Sequence, residues 1–495
     1  MKLELHLLAE WTQNHEPALQ KRLCQVLTGA IVKGVLPVGA RMPATRILAE
    51  QLGCSRNTVR LAYDQLIADG YLASSERAGT FVNEQLPHLR FRQSVAALED
   101  DSFDPRLSRY GTELDAFPVP GSSELKAFWP YETDAREFPF KSMIRLFSCY
   151  WRSSREDVLR NHDPAGFLPL RRAITSFVLA QRGIVCEPSQ IIVCNGTASS
   201  FDLIIRLLVD RDDRVWLEEG NNSNAAASIH MAGGRATLVP MDDQGLVVKQ
   251  GLAQCAQARM AIVSPSSCYP IGTLMSTARR HELLTWAHDA NAMIIEDDTG
   301  CEYLFEGHPE PAITALDKKG HTIYVGSFST YLFPSLRMSY LILPPALAQR
   351  VARLRYKLDF HPAMPMQPVI ASLIEDGLLT SHIRRMHRVY ANRRMAIQKA
   401  FAEHLLDAFT LHLPPAGLNA IARPTQDYAP SEFCEMIACA MRHEVGLMPF
   451  AQADEQNRRP PILLGFGATN EAEIEAGVLR LADAVAEYRR SGKST

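Results

Sequence analysis

The sequence lacks any apolar run of the roughly 18 residues that a membrane-spanning helix needs. Its ten cysteines include no CxxC pair, so neither a zinc site nor a disulfide framework is indicated, and no metal is expected. The amino-terminal stretch MKLELHLLAEWTQNHEP has acidic residues within its apolar part and is a poor secretion signal. These absences disfavour membrane and secreted proteins, and a cytoplasmic chain with reduced thiols is expected.

The residues that are present suffice for more than one domain. A composition of 46% apolar and 22% charged residues indicates a globular protein. A chain of 495 residues is too long for a single ordinary hydrophobic core. The net charge is −3, but residues 1–83 carry +2. From 84 to 129 the hydrophobic periodicity disappears among prolines and an acidic run, although Phe91 and Phe103 indicate a short docking segment. We therefore predict a first domain at 1–83, a linker at 84–129 and a second domain at 130–495.

The first domain is predicted to be a small α+β unit. Apolar residues recur at helical spacing from residue 19 to 31. Further elements are predicted as helices at 44–52 and 56–69 and strands at 71–73 and 80–82. Ser55, in the turn between the second and third helices, is placed to cap the latter. Helix, turn, helix and strand pair is the layout of a winged helix-turn-helix.

The second helix of a helix-turn-helix enters the major groove of DNA by its amino-terminal end. Here that end reads Ser55-Arg56-Asn57-Thr58, and Arg60 lies one turn further on. Arginine matches guanine edges and phosphates, whereas hydroxyls and helix amides suit phosphate oxygens. The same residues are also compatible with the ordinary solvated face of a small helical module.

The stretch GVLPVGARMPATRILA, followed by SRNTVRLAYDQLIADGYL, resembles the DNA-binding domain of GntR-type bacterial regulators. The resemblance implies DNA contacts from the turn, the helix after it and the wing: Arg41, Thr45, Arg46, Ser55, Arg56, Asn57, Thr58, Arg60 and Gly79. The sequence departs from this family at the wing tip, where Arg77 replaces a frequent second glycine.

The second domain alternates helical stretches with short β-branched strands, which read QIIVCN, RVWLEE, ATLVPM, AIVSP, AMIIEDD and TIYVGS. This pattern predicts an α/β domain with a mostly parallel sheet. Ligands of such sheets bind at the carboxyl ends of the strands. Those ends carry Asn195-Gly196-Thr197, Ser264-Pro265, Glu296-Asp297-Asp298 and Ser327-Phe328-Ser329.

Residues at these strand ends could hold a phosphorylated aromatic cation. Helix amides and side chains predict a phosphate cup formed by Thr197, Ala198, Ser327, Ser329 and Arg337. Asp297 is placed to neutralise a protonated ring nitrogen. Taken singly, Asp297 and Arg337 are equally compatible with pairing with each other or with capping nearby amides.

The segments NHDPAGFLPLRRAI, SPSSCYPIG, IIEDD and GSFS with LFPSLR resemble the aminotransferase fold type I of pyridoxal-phosphate enzymes, over nearly all of residues 140–490. Joined to the GntR-type amino terminus, the whole chain resembles MocR-type regulators. In that group the aminotransferase-like domain senses a ligand instead of running a metabolic reaction. The usual dimer of the group is head-to-tail.

The lysine of the family's SFSK pattern is absent, because Thr330 stands at that position. A threonine offers no amine to an aldehyde, so the resemblance implies that the cofactor is not covalently attached. Further departures from the family surround the ring position: Asn161, Asn222, Ser267, Cys268, Thr299, Asn419 and Leu463. A single exchange would fit an engineered trap, but so many departures indicate a lineage that abandoned covalent cofactor chemistry.

The resemblance therefore implies a bacterial DNA-binding transcription regulator that dimerises and senses a small molecule, and not an enzyme. Pyridoxal phosphate held without a covalent link, or another small phosphorylated or anionic molecule, remain equal alternatives for the pocket. The expected partners are a double-stranded operator, an effector such as a vitamer, an amino acid or another anion, and a second copy of the chain. Two rival hypotheses are a working aminotransferase with a DNA-binding appendage and a structural dimer that binds no ligand.

Overall fold

The computed structural model describes residues 19–75, 79–83, 106–113, 127–130, 132–153, 160, 162–220, 223–268, 272–449 and 459–491. The chain divides into two compact units, Met1–Arg106 and Leu107–Thr495. Five residues that entered the sequence-based predictions, Arg77, Phe91, Phe103, Asn161 and Asn222, lie outside the described residues. Most of the predicted linker lies outside them as well.

The described part of the first unit contains α1 Leu19–Val32, α2 Thr45–Leu52, α3 Arg56–Ala68, β1 Leu72–Ser75 and β2 Gly79–Val82. Gly53 ends α2 in the left-handed conformation, with φ of 62°, and its amide donates to the Ala49 carbonyl. Ser55 Oγ accepts the Thr58 amide at 3.0 Å and so caps α3. Apolar residues from the three helices and both strands share one core. The predicted winged helix-turn-helix is confirmed.

The second unit is built on a sheet whose described strands have the order β3-β11-β10-β9-β8-β4-β5. The strands of this unit begin with β3 Ile191–Cys194, β4 Arg214–Glu218, β5 Arg235–Val239, β6 Met241–Asp242, β7 Gly245–Leu246, β8 Met260–Val263, β9 Met293–Asp297, β10 Thr322–Ser327 and β11 Ser339–Ile342. Within the seven-stranded sheet, β11 runs antiparallel to β3 and β10, and the other neighbours are parallel. The predicted mostly parallel sheet is confirmed, and β11 is an addition to it.

Helices cover both faces of this sheet. The helices described in this part of the unit are α4 Arg109–Glu113, α5 Phe140–Ser153, α6 Leu168–Arg182, α7 Thr197–Leu208, α8 Ser223–Met231, α9 Val248–Cys255, α10 Thr277–Asp289, α11 Ile313–Leu316, α12 Pro345–Asp359, α13 Gln367–Glu375 and α14 Leu378–His404. Alternate residues of β3 enter different cores: Ile191 and Val193 pack with α6, whereas Ile192 and Cys194 pack with α7. Burial on both faces explains why these strands are continuous apolar runs. None of the described helices combines the length and the hydropathy of a membrane span.

A smaller antiparallel sheet, with the order β12-β13-β15-β14, follows near the carboxyl terminus. Its elements and their helices are β12 Phe409–His412, β13 Asn419–Pro424, α15 Pro430–Arg442, β14 Met448–Pro449, β15 Ile462–Gly465 and α16 Glu471–Ser491. Residues of α14, α15 and α16 pack with this sheet around a separate core. The sequence predictions did not include this sheet.

The second unit also takes in residues that were assigned to the linker. Glu113 in α4 forms an ion pair with His230 in α8, with 2.6 Å between Oε2 and Nε2. Phe128 is fully buried in the core around the smaller sheet, and its carbonyl accepts the Gly465 amide at 2.9 Å. Burial of this aromatic ring removes a large apolar surface from water, so residues just before position 130 contribute to the core of the second unit.

Candidate ligand site and nucleic-acid interface

Residues that were predicted to contact DNA lie at the start of α3 and on α2. Arg56 Nε donates to Thr45 Oγ1 at 3.4 Å and so links α3 to α2. Arg60 donates to Asn57 Oδ1 at 2.9 Å and lies 3.6 Å from an Asp64 carboxylate oxygen. These contacts hold the arginine side chains over one end of α3.

Two further predicted residues, Arg41 and Gly79, meet at the base of the wing. Gly79 has φ of 99°, a conformation that favours glycine, and a Cβ there would lie 3.4 Å from Arg41 Nε. Arg41, Arg46, Arg56 and Arg60 are all solvent-exposed. The first unit therefore presents four exposed arginines from the wing base, α2 and α3.

A cavity of about 350 Å³ lies at the carboxyl ends of the large sheet's strands, a size that suits a small molecule. Six of the seven predicted ligand residues line it: Thr197, Asp297, Ser327, Ser329, Thr330 and Arg337. Ala198 is the next residue along α7 and does not line the cavity. The structure thus brings most of the predicted ligand residues together in one cavity.

The cup at one end of the cavity is held by backbone contacts. Ser327 Oγ accepts the Ser329 amide at 3.2 Å, and Ser329 Oγ accepts the Met338 amide at 3.3 Å. Arg337 has φ of 47° and ends a 3-10 turn at Pro334–Leu336, which is an unusual backbone conformation for arginine. The loop after β10 is thereby folded back so that the arginine reaches the cavity.

Gly196 brings the cup together with the start of α7. It precedes the first helical residue with φ of 91°, and a Cβ there would lie 2.8 Å from Arg337 Nη2. Glycine therefore lets the guanidinium lie against the helix amino terminus, where free amides and the helix dipole attract anions. Hydroxyls, a guanidinium and a helix terminus are the kinds of group that bind phosphate in proteins, and the structure brings them together here.

Asp297 and Arg337 are both described, and no ion pair joins them. Asp297 accepts the Thr299 amide at 3.2 Å, and burial raises the pKa of its carboxyl to about 6. The neighbouring Asp298 instead pairs with Arg182 at 2.5 Å. Asp297 therefore remains available to a positively charged group in the cavity.

Thr330 faces the same cavity. No lysine occurs among the described residues that line it, and Thr330 Oγ1 is buried without a hydrogen-bond partner in this part of the structure. Lys318 and Lys319 are exposed and precede β10. The six residues of β10 separate them from the cup by roughly 20 Å. Neither lysine substitutes for an amine at position 330.

The other departures from the family pattern are not all at the cavity. Thr299, Ser267 and Asn419 line it, whereas Leu463 is buried within β15 and does not. Cys268 is also buried outside the lining, with its thiol 3.4 Å from Glu218 Oε2. Fewer of the residues that depart from the family pattern therefore line the cavity than the resemblance implies.

Sequence reasoning missed Glu132 and Tyr303, which also line the cavity. These residues come from the segment before α5 and the loop after β9. Tyr303 had a weak signal, because it follows the Asp297 strand end by six residues. Glu132 has no local pattern and reaches the cavity only through the fold.

Comparison with known proteins identifies the family of this chain. Residues 19–82 match the family described as "Bacterial regulatory proteins, gntR family". The chain is 35% identical to the probable rhizopine catabolism regulatory protein MocR of Rhizobium meliloti over 409 residues, which cover 82% of each chain. The chain belongs to the MocR-type group of GntR family transcriptional regulators.

Other relatives of this MocR-type chain agree. The pyridoxine biosynthesis transcriptional regulator PdxR of Corynebacterium glutamicum is 29% identical, over 82% of this chain and 84% of its own. The kynurenine aminotransferase of Pyrococcus horikoshii superposes with a TM-score of 0.66 at 22% identity, over 81% of this chain and 99% of its own, which shows the fold alone. The predicted family, the aminotransferase fold and the role as a DNA-binding transcription regulator are confirmed.

Proposed function

We propose that this MocR-type chain binds a double-stranded operator through its first unit and a small anionic effector, without a covalent link, through the cavity of its second unit. It acts as a homodimer in the bacterial cytoplasm and has no transaminase activity. The observation that carries the proposal is a cavity that keeps phosphate-binding features but has threonine at position 330 and no lysine among its described lining residues.

The operator-binding role rests on the exposed arginines of the first unit. Arg56 and Arg60, at the start of α3, are assigned to base edges in the major groove, and Thr58 is assigned to a phosphate. Arg41, at the wing base, is assigned to the backbone beside the groove. Two such surfaces in a dimer would read repeated half-sites whose spacing follows the symmetry of the dimer.

The effector role rests on the cup and on Asp297. Ser327, Ser329 and Arg337 suit the phosphate of pyridoxal phosphate, and Asp297 suits its protonated ring nitrogen. The Pyrococcus kynurenine aminotransferase was solved with PMP, and PdxR is named for pyridoxine biosynthesis, which supports a vitamer-related ligand. The cofactor supplies an electron sink when it is bound, but no described cavity residue offers the amine that would attach it. Another phosphorylated or anionic molecule would use the same cup.

A homodimer is supported by an exposed apolar face on α5. Phe140, Ile144, Phe147 and Trp151 recur at helical spacing, and 57%, 63%, 38% and 37% of their surfaces are exposed. Met143, on the other side of α5, is buried in the core. Contiguous apolar faces of this kind are unusual on a monomer and mark association surfaces.

The test is to measure thermal unfolding and operator affinity of the full-length chain with inorganic phosphate, pyridoxamine phosphate and pyridoxal phosphate. A raised Tm and a changed operator affinity are expected, and Arg337→Gln should remove both effects. Arg211→Gln, which neutralises an exposed arginine on another surface, is the matched control.

Two outcomes would contradict the proposal. A lack of any shift together with unchanged operator affinity would favour the structural dimer that binds no ligand. Transfer of an amino group from an amino acid to an oxoacid by the wild-type chain would favour the enzyme.

A further inference from the structure

The charges that line the cavity are unevenly placed. Among the described lining residues, the charged side chains are Glu132, Asp297 and Arg337. Arg337 lies against Gly196 within the phosphate cup. The rest of the described lining therefore contains carboxylates and hydroxyls but no cation that could bind a carboxylate group of a ligand.

Glu132 lies on the segment that passes the end of β15. Its carbonyl would be 2.3 Å from a Cβ at position 467, so Gly467 permits a close backbone approach that fixes this segment. The nearby arginines are used elsewhere: Arg136 pairs with Asp134 and Glu473, and Arg393 pairs with Asp134. Among the described residues no hydrogen-bond or ionic partner of the Glu132 carboxylate is found, and burial raises its pKa.

Unpartnered hydroxyls lie in the same cavity. Tyr303 is only 1% exposed, and its Oη has no hydrogen-bond partner in the described structure. The buried Oγ1 atom of Thr330 lacks a partner there too. Buried polar groups are normally hydrogen-bonded, so these two hydroxyls indicate a polar ligand that completes them.

We propose that the effector group bound away from the cup is a hydroxylated amine that lacks a carboxylate, with its ammonium paired with Glu132 and its hydroxyls bonded to Tyr303 and Thr330. This inference rests on the proposed function of the cavity as the effector site. An amino acid would place its carboxylate in a region that holds Glu132 and no described cation, and such like-charge contact disfavours binding.

The proposal is tested with pairs of probes that differ only by a carboxylate. Ethanolamine with serine, 1-amino-2-propanol with threonine, and tyramine with tyrosine are titrated calorimetrically into the full-length chain, with and without pyridoxamine phosphate. Operator affinity is measured with each probe. At least one amine is expected to bind about tenfold or more tightly than its amino acid, and Glu132→Gln should remove that preference.

Glu375→Gln, which removes an exposed carboxylate at the end of α13, is the matched control and should leave the preference unchanged. Equal Tm values of the two variants exclude misfolding as the cause. An amino acid that binds as tightly as its amine, or a preference that survives Glu132→Gln, would overturn the inference while leaving the effector site in place. Loss of response to every probe, including pyridoxamine phosphate alone, would instead overturn the proposed function and this inference with it.

Discussion

At the scale of single residues, Asp297 and Thr330 determine how the cavity can hold a ligand. Asp297 offers a negative charge that no cation among the described residues pairs with, and Thr330 offers a hydroxyl where an amine would form a covalent link. The two residues together favour reversible binding of a positively charged ring or amine. The affinity of such a ligand should therefore depend on the protonation of Asp297.

We predict that affinity for pyridoxamine phosphate falls as the pH is lowered through about 6. Burial raises the pKa of Asp297 to about 6, so below that pH the carboxyl is neutral and no longer attracts the cation. The loss should approach tenfold per pH unit below the pKa. The second ionisation of the phosphate, near pH 6, adds its own loss, and comparison with Asp297→Asn isolates the carboxyl. Calorimetric titrations of both proteins between pH 5 and about 8 check this, and identical pH profiles would contradict it.

The same pKa has an opposite consequence for the unliganded fold. The folded chain keeps the Asp297 proton up to about pH 6, whereas an unfolded chain releases it near pH 4. This residue therefore lowers the free energy of unfolding as the pH rises between those two values.

Arg56→Ala is predicted to weaken operator binding by about 1–3 kcal/mol and to relax base preference at one position of each half-site. Arg56 is exposed at the start of α3 and is oriented by its bond to Thr45. Thr58→Val should weaken binding to every sequence alike, because a phosphate contact carries no base information. Competition binding against a library of operator variants measures both effects. An equal loss on every sequence for Arg56→Ala would show that its role is backbone contact.

The residue-level predictions identified residues that line the cavity where these follow a strand end. Asp297, Ser327 and Ser329 lie at or just after the ends of β9 and β10, and a parallel sheet brings such ends together. Glu132 could not be found in this way, because it lies in a segment without periodicity, and Tyr303, six residues beyond its strand end, gave only a weak signal. Only the packing of distant segments places them at the cavity.

At the scale of elements, the start of α7 is the critical junction of the cup. Gly196 holds a backbone conformation that favours glycine and leaves space for Arg337. We predict that Gly196→Ala lowers affinity for pyridoxamine phosphate at least about tenfold, because a 2.8 Å contact would displace the guanidinium. The φ of 91° also implies a cost in stability of about 1–3 kcal/mol.

Gly183→Ala is the control for that variant. Gly183 ends α6 with φ of 69°, and a Cβ there would meet no atom within 4 Å. It should reduce stability through its backbone alone and leave affinity unchanged. Calorimetric titration and thermal unfolding of both variants separate the two effects. Unchanged affinity in Gly196→Ala would contradict the assigned cup.

The elements of the large sheet were predictable because buried strands of α/β domains are short, continuous β-branched runs. The strand β11 was missed because Ser339–Ile342 is only four residues long and directly follows the loop that carries Arg337. The smaller sheet was missed for a different reason. The pairing of β13 with β15 joins residues far apart in sequence, such as Asn419 and Gly465, and β14 has only two residues.

At the scale of the whole molecule, the α5 face predicts the assembly. Ile144→Asp should dissociate the dimer, because a charge at the centre of an apolar interface is buried without a partner, at a cost of about 2 kcal/mol or more. Leu406→Asp is the control, since Leu406 is 69% exposed and does not belong to this face. Sedimentation velocity across a concentration series measures the effect. A dimer that persists in Ile144→Asp would place the interface elsewhere.

The organisation into a DNA-binding unit and an aminotransferase-like unit could be predicted from motifs, because each motif occupies a continuous stretch. Glu113 and Phe128 join the large unit through contacts to residues more than 100 positions away, which no local pattern reveals. The boundaries at residues 83 and 130 remain predictions.

The central claim is reversible binding in a cavity without a covalent amine. The most direct measurement is the intact mass of the native full-length chain after incubation with pyridoxal phosphate and borohydride, followed by peptide mapping, with Thr330→Lys treated in parallel. The account predicts an unchanged mass for the native chain and one added pyridoxyl group at position 330 in the variant. A stoichiometric adduct on a lysine of the native chain that reaches the cavity would contradict it.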